Sequence, residues 1–227
     1  MTKATRGPER RENALSRERI VDAAIELLDD EGEDGLTFRA LATRLATGAG
    51  AIYWHIRNKD EVLVAASDVV VARALAGVGG RTTPKKAIRG IALRVFETID
   101  AHPWVGTELA RNPPPTAMLR IFERVGRQVE ALRAPRGAQF TATMVLGSYI
   151  ISESRQNAAN GRVHDPPPDR ADFLEKMAAQ WNELDANEFP FTRNVANQLR
   201  EHDDRAEFLA GIDLILAGIA AGSPSSR

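Results

Sequence analysis

The 227-residue chain contains no cysteine, which excludes disulfides, thiolate-bound metals and cysteine nucleophiles, none of which an intracellular protein needs. Its four histidines, His55, His102, His164 and His202, form no metal-spaced motif. No nucleophile elbow or phosphate loop occurs either, so no metal, no cofactor and no catalysis are expected. Long apolar runs are missing too: nothing approaches the roughly 20 uninterrupted apolar residues of a membrane span. Met1 to Asn13 is basic, but Ile20, Val21, Ala24, Leu27 and Leu28 behind it recur at helical spacing among charges, so no signal peptide is expected. The cytoplasm is the expected location, without a membrane partner.

Strand alternation and internal repeats are absent as well. What remains is helical. Ser16 is placed to cap a first helix running to about Glu31, with Gly32 as its stop. Thr37 caps a second helix whose Phe38, Leu41 and Leu45 complete a small core with Ile52. Asn58 and Glu61 have capping-box spacing, so Asn58 starts a long fourth helix toward Leu75, ended by Gly77, Gly79 and Gly80. From Thr83 the pattern predicts helices over Pro84 to Ala101, a short piece after Pro103, Thr116 to Leu132, Ala138 to Ala159, Asp169 to Leu184, Thr192 to Leu199 and Asp204 to Ala221. The breaks between them carry His102-Pro103, Pro113-Pro114-Pro115, Ala134-Pro135 and Pro166-Pro167-Pro168.

The formal net charge of −1 hides an asymmetry. Lys3, Arg6, Arg10, Arg11, Arg17 and Arg19 load the amino terminus, Arg39, Arg44, Arg57 and Lys59 follow, and Asp29, Asp30, Glu31, Glu33 and Asp34 crowd one helix end. Charge alone leaves open a surface of ordinary solvated groups. The sequence around the later cations is more informative. Leu36-Thr37-Phe38-Arg39-Ala40-Leu41-Ala42-Thr43-Arg44-Leu45-Ala46-Thr47-Gly48 reads as a short helix, a turn and the start of a second helix. Ile52-Tyr53-Trp54-His55-Ile56-Arg57-Asn58 then runs into Lys59-Asp60-Glu61, mixing core formers with hydrogen-bond donors. Gly48-Ala49-Gly50-Ala51-Ile52-Tyr53 is no dinucleotide fingerprint, since the third glycine and the preceding strand are missing.

This helix-turn-helix resembles the DNA-binding head of the TetR family of bacterial repressors. The Tyr53-Trp54-His55 run is similar to the family's namesake, where these residues contact phosphates. The resemblance implies DNA contacts from Thr37, Arg39, Thr47, Ala49, Gly50, Ala51, Tyr53, Trp54, His55 and Lys59. Ala51 and Ala49 suit thymine methyls but make no bidentate hydrogen bond, so Arg39 is the first choice for reading a guanine edge, with a phosphate contact as the other role open to it. Thr37 serves as cap and phosphate donor alike. Lys59 sits where exposed amides and the helix dipole attract a phosphate. Ala46 and Thr47 depart from the family's commoner glycine and aliphatic pair at the turn.

The resemblance extends to the closing segment from Glu207 to Gly218 and implies a helical body that dimerises and binds an effector. Apolar residues on several faces of the helices around Tyr149 and Ile215 fit either simple burial or a symmetric four-helix interface, and the resemblance favours the interface, through Tyr149, Ile150, Phe208, Ile212, Ile215 and Ile219. Where the namesake supplies a metal-binding histidine, this chain has Glu108-Leu109-Ala110-Arg111-Asn112-Pro113. The expected effector is therefore an apolar organic molecule without metal, lined by Phe96, Trp104, Met118, Phe122, Met144, Ser148, Tyr149, Ser152 and Trp181, all of which fit a core equally. The expected plan is all-α: a flexible basic arm at 1–15, a three-helix DNA-binding head at 16–58, a connecting helix at 59–80, and a dimerisation and ligand-binding body at 81–227. The function implied is a homodimeric repressor on a palindromic operator, released by a small molecule. The alternative is a constitutive dimeric DNA-binding or architectural protein without effector.

Overall fold

The computed structural model describes residues 15–78, 80, 82–111, 114–161 and 170–222. The basic residues Lys3 to Arg11, Gly79, Asn112, Pro113, His164, the Pro166 to Pro168 run and Asp169 lie outside the described residues. In chain order the helices are α1 (Arg17–Gly35), α2 (Phe38–Arg44), α3 (Ala49–Tyr53), α4 (Lys59–Leu75), α5 (Pro84–Ala101), α6 (Pro103–Leu109), α7 (Thr116–Ala131), α8 (Arg136–Asn160), α9 (Arg170–Glu183), α10 (Pro190–Val195), a 3-10 helix (Ala196–Glu201) and α11 (Asp204–Ala221). No strand occurs among the described residues. The chain divides into two units, one holding the described residues up to Ala76 with Ala101–Arg120, the other Gly77–Asp100 with the described residues from Ile121 onward. The segment Ala101–Arg120, expected in the body, therefore belongs with the head.

In the first unit the caps act as their chemistry requires. The Ser16 hydroxyl accepts from the Arg19 amide at 3.3 Å, the Thr37 hydroxyl from Ala40 at 3.1 Å and the Asn58 carbonyl oxygen from Glu61 at 2.8 Å. Gly32, at φ 71°, kinks α1 where a stop was expected, and helical backbone resumes to Gly35. Ile20, Leu36, Leu41, Ile52, Ile56 and Leu63 form the core, each at most 2 % exposed, and each burial is worth about 1.5–3 kcal/mol. Phe38, expected in that core, is only half-buried.

α6 joins this unit by polar contacts that local periodicity does not encode. Asp29 Oδ1 meets His102 Nδ1 at 2.7 Å and accepts from Trp104 Nε1 at 2.8 Å. Arg111 bridges Asp60 at 2.9 Å, Glu33 at 3.4 Å and the buried Glu108 at 2.9 Å. Glu108 is only 2 % exposed and its Oε1 has no hydrogen-bond partner among the described residues. Burial lifts its carboxyl above the ordinary value, against the pull of Arg111, with Glu33 and Asp60 adding to the rise. The folded protein therefore binds this proton before the unfolded chain does, and stability is gained as pH falls through the raised value toward the ordinary 4.5. Glu108→Gln is expected to raise the melting temperature at neutral pH, with the advantage shrinking over that window. A melting series that shows Gln destabilising at neutral pH contradicts this balance.

The turn between α2 and α3 uses a left-handed backbone at Ala46, φ 49°, and the Thr47 amide closes it on the Ala42 carbonyl at 2.9 Å. A side chain there costs roughly 1–2 kcal/mol, so the departure from glycine is carried as local strain. Ala46→Gly is expected to stabilise the head by about 0.5–1 kcal/mol, the relief being partly offset by the greater freedom of glycine in the unfolded chain. Denaturant titration checks it; an unchanged or lowered midpoint is the contrary result.

In the second unit α5 buries Ile88, Ile91, Val95 and Ile99, α7 buries Ile121, Val125 and Val129, and α8 buries Leu146, Ile150 and Ile151. α11 rests on α8, where Gly211 lies so close to Tyr149 that a Cβ would collide with the phenol. Arg89 of α5 forms an ion pair with Asp213 of α11. α9, α10 and the 3-10 helix form their own cluster around Leu174, Ala178 and Ala196.

Candidate nucleic-acid interface and body cavity

The outer surface of α2, the turn and α3 brings most of the expected DNA-contacting residues together. Thr37 and Arg39 are exposed at the start of α2, and Thr47 is half-buried before α3. Ala49, Gly50 and Ala51 form the first turn of α3, with Gly50 exposed and a Cβ on it meeting nothing within 4 Å. Nothing among the described residues demands glycine there, and its smallness leaves room for another molecule's surface. Ile52 and Ile56 are fully buried. These two anchors hold the intervening residues outward: Tyr53 is 54 % exposed, Trp54 90 %, and His55 is exposed as well. Tyr53 is further fixed by stacking on Phe38, with centroids 4.3 Å apart and planes 6° apart. Phe38 is a positioning residue that periodicity, reading it as core, missed.

Two cations of the region have other work. Arg44 pairs with Glu26 at 3.3 Å and Asp30 at 2.7 Å. It therefore ties α2 to α1. Lys59 is half-buried and its ammonium donates to the Glu33 carbonyl, which occupies one of its three protons. Arg57 is exposed, and its amide donates to Glu61 at 3.0 Å. That bond first, then Arg17 at 3.2 Å, holds the Glu61 carboxyl below its ordinary range.

The expected ligand residues are scattered. Phe96 and Tyr149 line one cavity of about 320 Å³ in the second unit, together with Phe208, Gly211 and a largely polar wall. Its wall carries Glu153, Glu207, Asp204, His202 and the amides of Gln156, Asn157 and Asn160. That is more acidic than the apolar lining expected. Trp104 and Met118 fall in the first unit, Trp104 being 7 % exposed and bonded to Asp29. Met144, Ser148 and Ser152 face outward along α8, Phe122 meets Phe140 edge-on at 6.0 Å, and Trp181 is half-buried on α9.

The expected interface residues divide by their burial within one protomer. Ile150 and Ile212 are 0 % exposed and Phe208 is 3 % exposed, so the protomer's own core takes them up. Tyr149 is half-buried and its hydroxyl donates to the Phe208 carbonyl at 3.4 Å; Ile215 and Ile219 are also half-buried. The outward apolar side chains are instead Met144 and Val145 of α8 and Leu214 of α11, at 44 %, 47 % and 75 % exposure. Ala210, Ala217 and Gly218 flank Leu214 on the same exposed face.

Among the described residues no helix is long and apolar enough to cross a membrane, and no group of three or more His, Asp or Glu side chains is arranged to hold a metal. Residues 20–66 match the family model described as bacterial regulatory proteins, tetR family. The solved structure of a transcriptional regulator from Streptomyces coelicolor, itself described as a TetR, is 51% identical and superposes with a TM-score of 0.83, covering 92% of this chain and 99% of that one. An HTH-type transcriptional regulator of Saccharopolyspora erythraea is 28% identical over 91% of this chain and 85% of its own length. The class D tetracycline repressor of Escherichia coli is 46% identical over 59 residues, 26% of this chain and 27% of that protein. The helix-turn-helix that the caps and buried isoleucines build is thus shared in sequence with these regulators, the fold is shared along nearly the whole chain, and the chain belongs to the TetR family of transcriptional regulators, which are not enzymes.

Proposed function

We propose that this regulator is a homodimeric repressor whose heads hold a palindromic operator and release it when a small organic molecule occupies the second unit. The observation that carries the DNA reading is the alternation at the end of α3 and in the turn after it: Ile52 and Ile56 locked in the core, Tyr53, Trp54 and His55 displayed outside it. Phenol, indole and imidazole donors presented from a rigid base suit phosphate oxygens, while the small α3 start and Arg39 face base edges. Dimerisation is proposed through the exposed faces of α8 and α11, centred on Leu214. The cavity beside Tyr149 favours an effector-responsive regulator over a constitutive architectural protein. Its occupant acts only through unequal affinity for the DNA-bound and released states, and a nearly complete switch needs a preference of about 10⁴-fold.

The test is selection of bound duplexes from a random pool, followed by a screen for compounds that release the selected duplex in the presence of a chelator. An inverted repeat and chelator-insensitive release are expected; a pool that yields no enriched sequence refutes the reading. Within it, Trp54→Ala is expected to leave stability within about 0.5 kcal/mol, because the indole is 90 % exposed. The same substitution weakens every duplex by a similar factor, as loss of a phosphate contact does. Equal binding by wild type and variant removes Trp54 from the interface.

A further inference from the structure

The cavity in the second unit has an aromatic floor and an acidic rim, and the two together specify a ligand class. Tyr149 stacks on Phe208 with centroids 5.8 Å apart and planes 9° apart, and Phe208 meets Phe96 at 4.7 Å. Glu153 of α8 and Glu207 of α11 both line the cavity. Of the acids there, Asp204 is neutralised by Arg170 at 2.6 Å and contacts His202 at 3.1 Å, whereas neither Glu153 nor Glu207 has an ion pair among the described residues. The geometry assigns to this cavity an organic cation with a flat apolar body, its ammonium group set between Glu153 and Glu207 and its body against the half-buried Tyr149 ring, which Phe208 backs from within.

The charge and the rings of the cavity select this class. A neutral apolar occupant would gain nothing from the two exposed carboxylates beside it. An anion would meet two like charges beside a low-dielectric wall. An organic cation gains both the carboxylates and the accessible side of the Tyr149 ring. The phenol of Tyr149 reports the same field: burial first, then Glu153 and Glu207, raise it above its ordinary value, so it stays neutral and keeps its hydroxyl proton on the Phe208 carbonyl. Ala210 and Leu214 form part of the lining and of the proposed dimer face, so a second protomer would wall the cavity's exposed side.

The role of this ligand as the effector rests on the repressor reading, but its binding does not, and the experiment separates them. Ligand-observed NMR and calorimetry on the full chain would compare two pairs of similar size and opposite charge, tryptamine with indole-3-propionate and phenethylamine with 3-phenylpropionate. The ammonium members are expected to bind roughly tenfold or more tightly than the carboxylates. The isosteric Glu153→Gln/Glu207→Gln double variant should abolish that preference while its far-ultraviolet spectrum and melting temperature stay those of a folded chain. Equal or reversed preference, or a preference unmoved by the double variant, overturns the site. So does binding seen only after Leu214→Asp has removed the second copy, since the partner protomer would then be the occupant. Release of a selected duplex by a bound ammonium compound supports its role as effector; binding without release keeps the site and overturns that role.

Discussion

Leu214→Asp is expected to give a folded monomer, and Ile212→Asp an unfolded chain. The two positions are neighbours on α11, but Leu214 is 75 % exposed within the protomer and Ile212 is 0 % exposed. At Leu214 an aspartate stays hydrated until a second protomer would bury it, so its cost falls on association alone. At Ile212 the charge is buried as soon as the chain folds, at a cost of several kcal/mol. A repressor that must hold two half-sites at once would lose about 10²–10⁴ in operator affinity on becoming monomeric. Sedimentation and circular dichroism separate the cases. A folded Leu214→Asp protein that remains dimeric, with full operator affinity, contradicts the proposed interface.

Arg39→Ala is expected to relax the preference at one base pair per half-site by about 1–3 kcal/mol, leaving the other positions unchanged. The side chain is exposed at the second position of α2, and among the described residues it has no ion pair like those that engage Arg44. Lys59→Ala should behave differently. Its loss removes a cation from the phosphate-facing edge and flattens the salt dependence by about one charge. It also removes the bond to the Glu33 carbonyl, so a stability loss accompanies the binding loss, on the order of 1–3 kcal/mol for the carbonyl left without its charged donor. Affinity measured across a library of single base-pair changes distinguishes the two. Arg39→Ala with an unaltered profile at every position leaves Arg39 as a phosphate contact.

The helices were legible in the sequence wherever a local chemical signal marks them. Ser16, Thr37 and Asn58 cap as their spacing predicts, Gly32 interrupts α1, and α11 spans Asp204–Ala221 as the apolar pattern indicates. α10 begins earlier than expected, at Pro190, which suits the first helical turn because its missing amide is no loss there. The Tyr53-Trp54-His55 run was legible for the same reason, since its flanking isoleucines carry the helical period. Contacts between distant residues were not. Trp104 looks like pocket lining until Asp29, far back in the chain, is seen to accept its indole proton. Arg44 reads as one of the clustered cations until Glu26 and Asp30 are seen to pair with it. Periodicity marked α8 and α11 as apolar on several faces, yet it does not say which face the protomer uses itself. Ile150, Phe208 and Ile212 went inward, leaving Met144, Val145 and Leu214 outside.

Absence of cysteine makes the central claim directly measurable, because a thiol introduced at one position is the sole thiol in the chain. Ala51 is half-buried in the first turn of α3, on the surface proposed to enter the major groove. Ala51→Cys carrying an iron-chelate cleavage reagent should cut a selected duplex at two symmetry-related positions, separated by about one helical turn, roughly 34 Å, or a multiple of it. Cleavage at a single position, or strand scission spread evenly along the duplex, would contradict a dimer that reads DNA through α3.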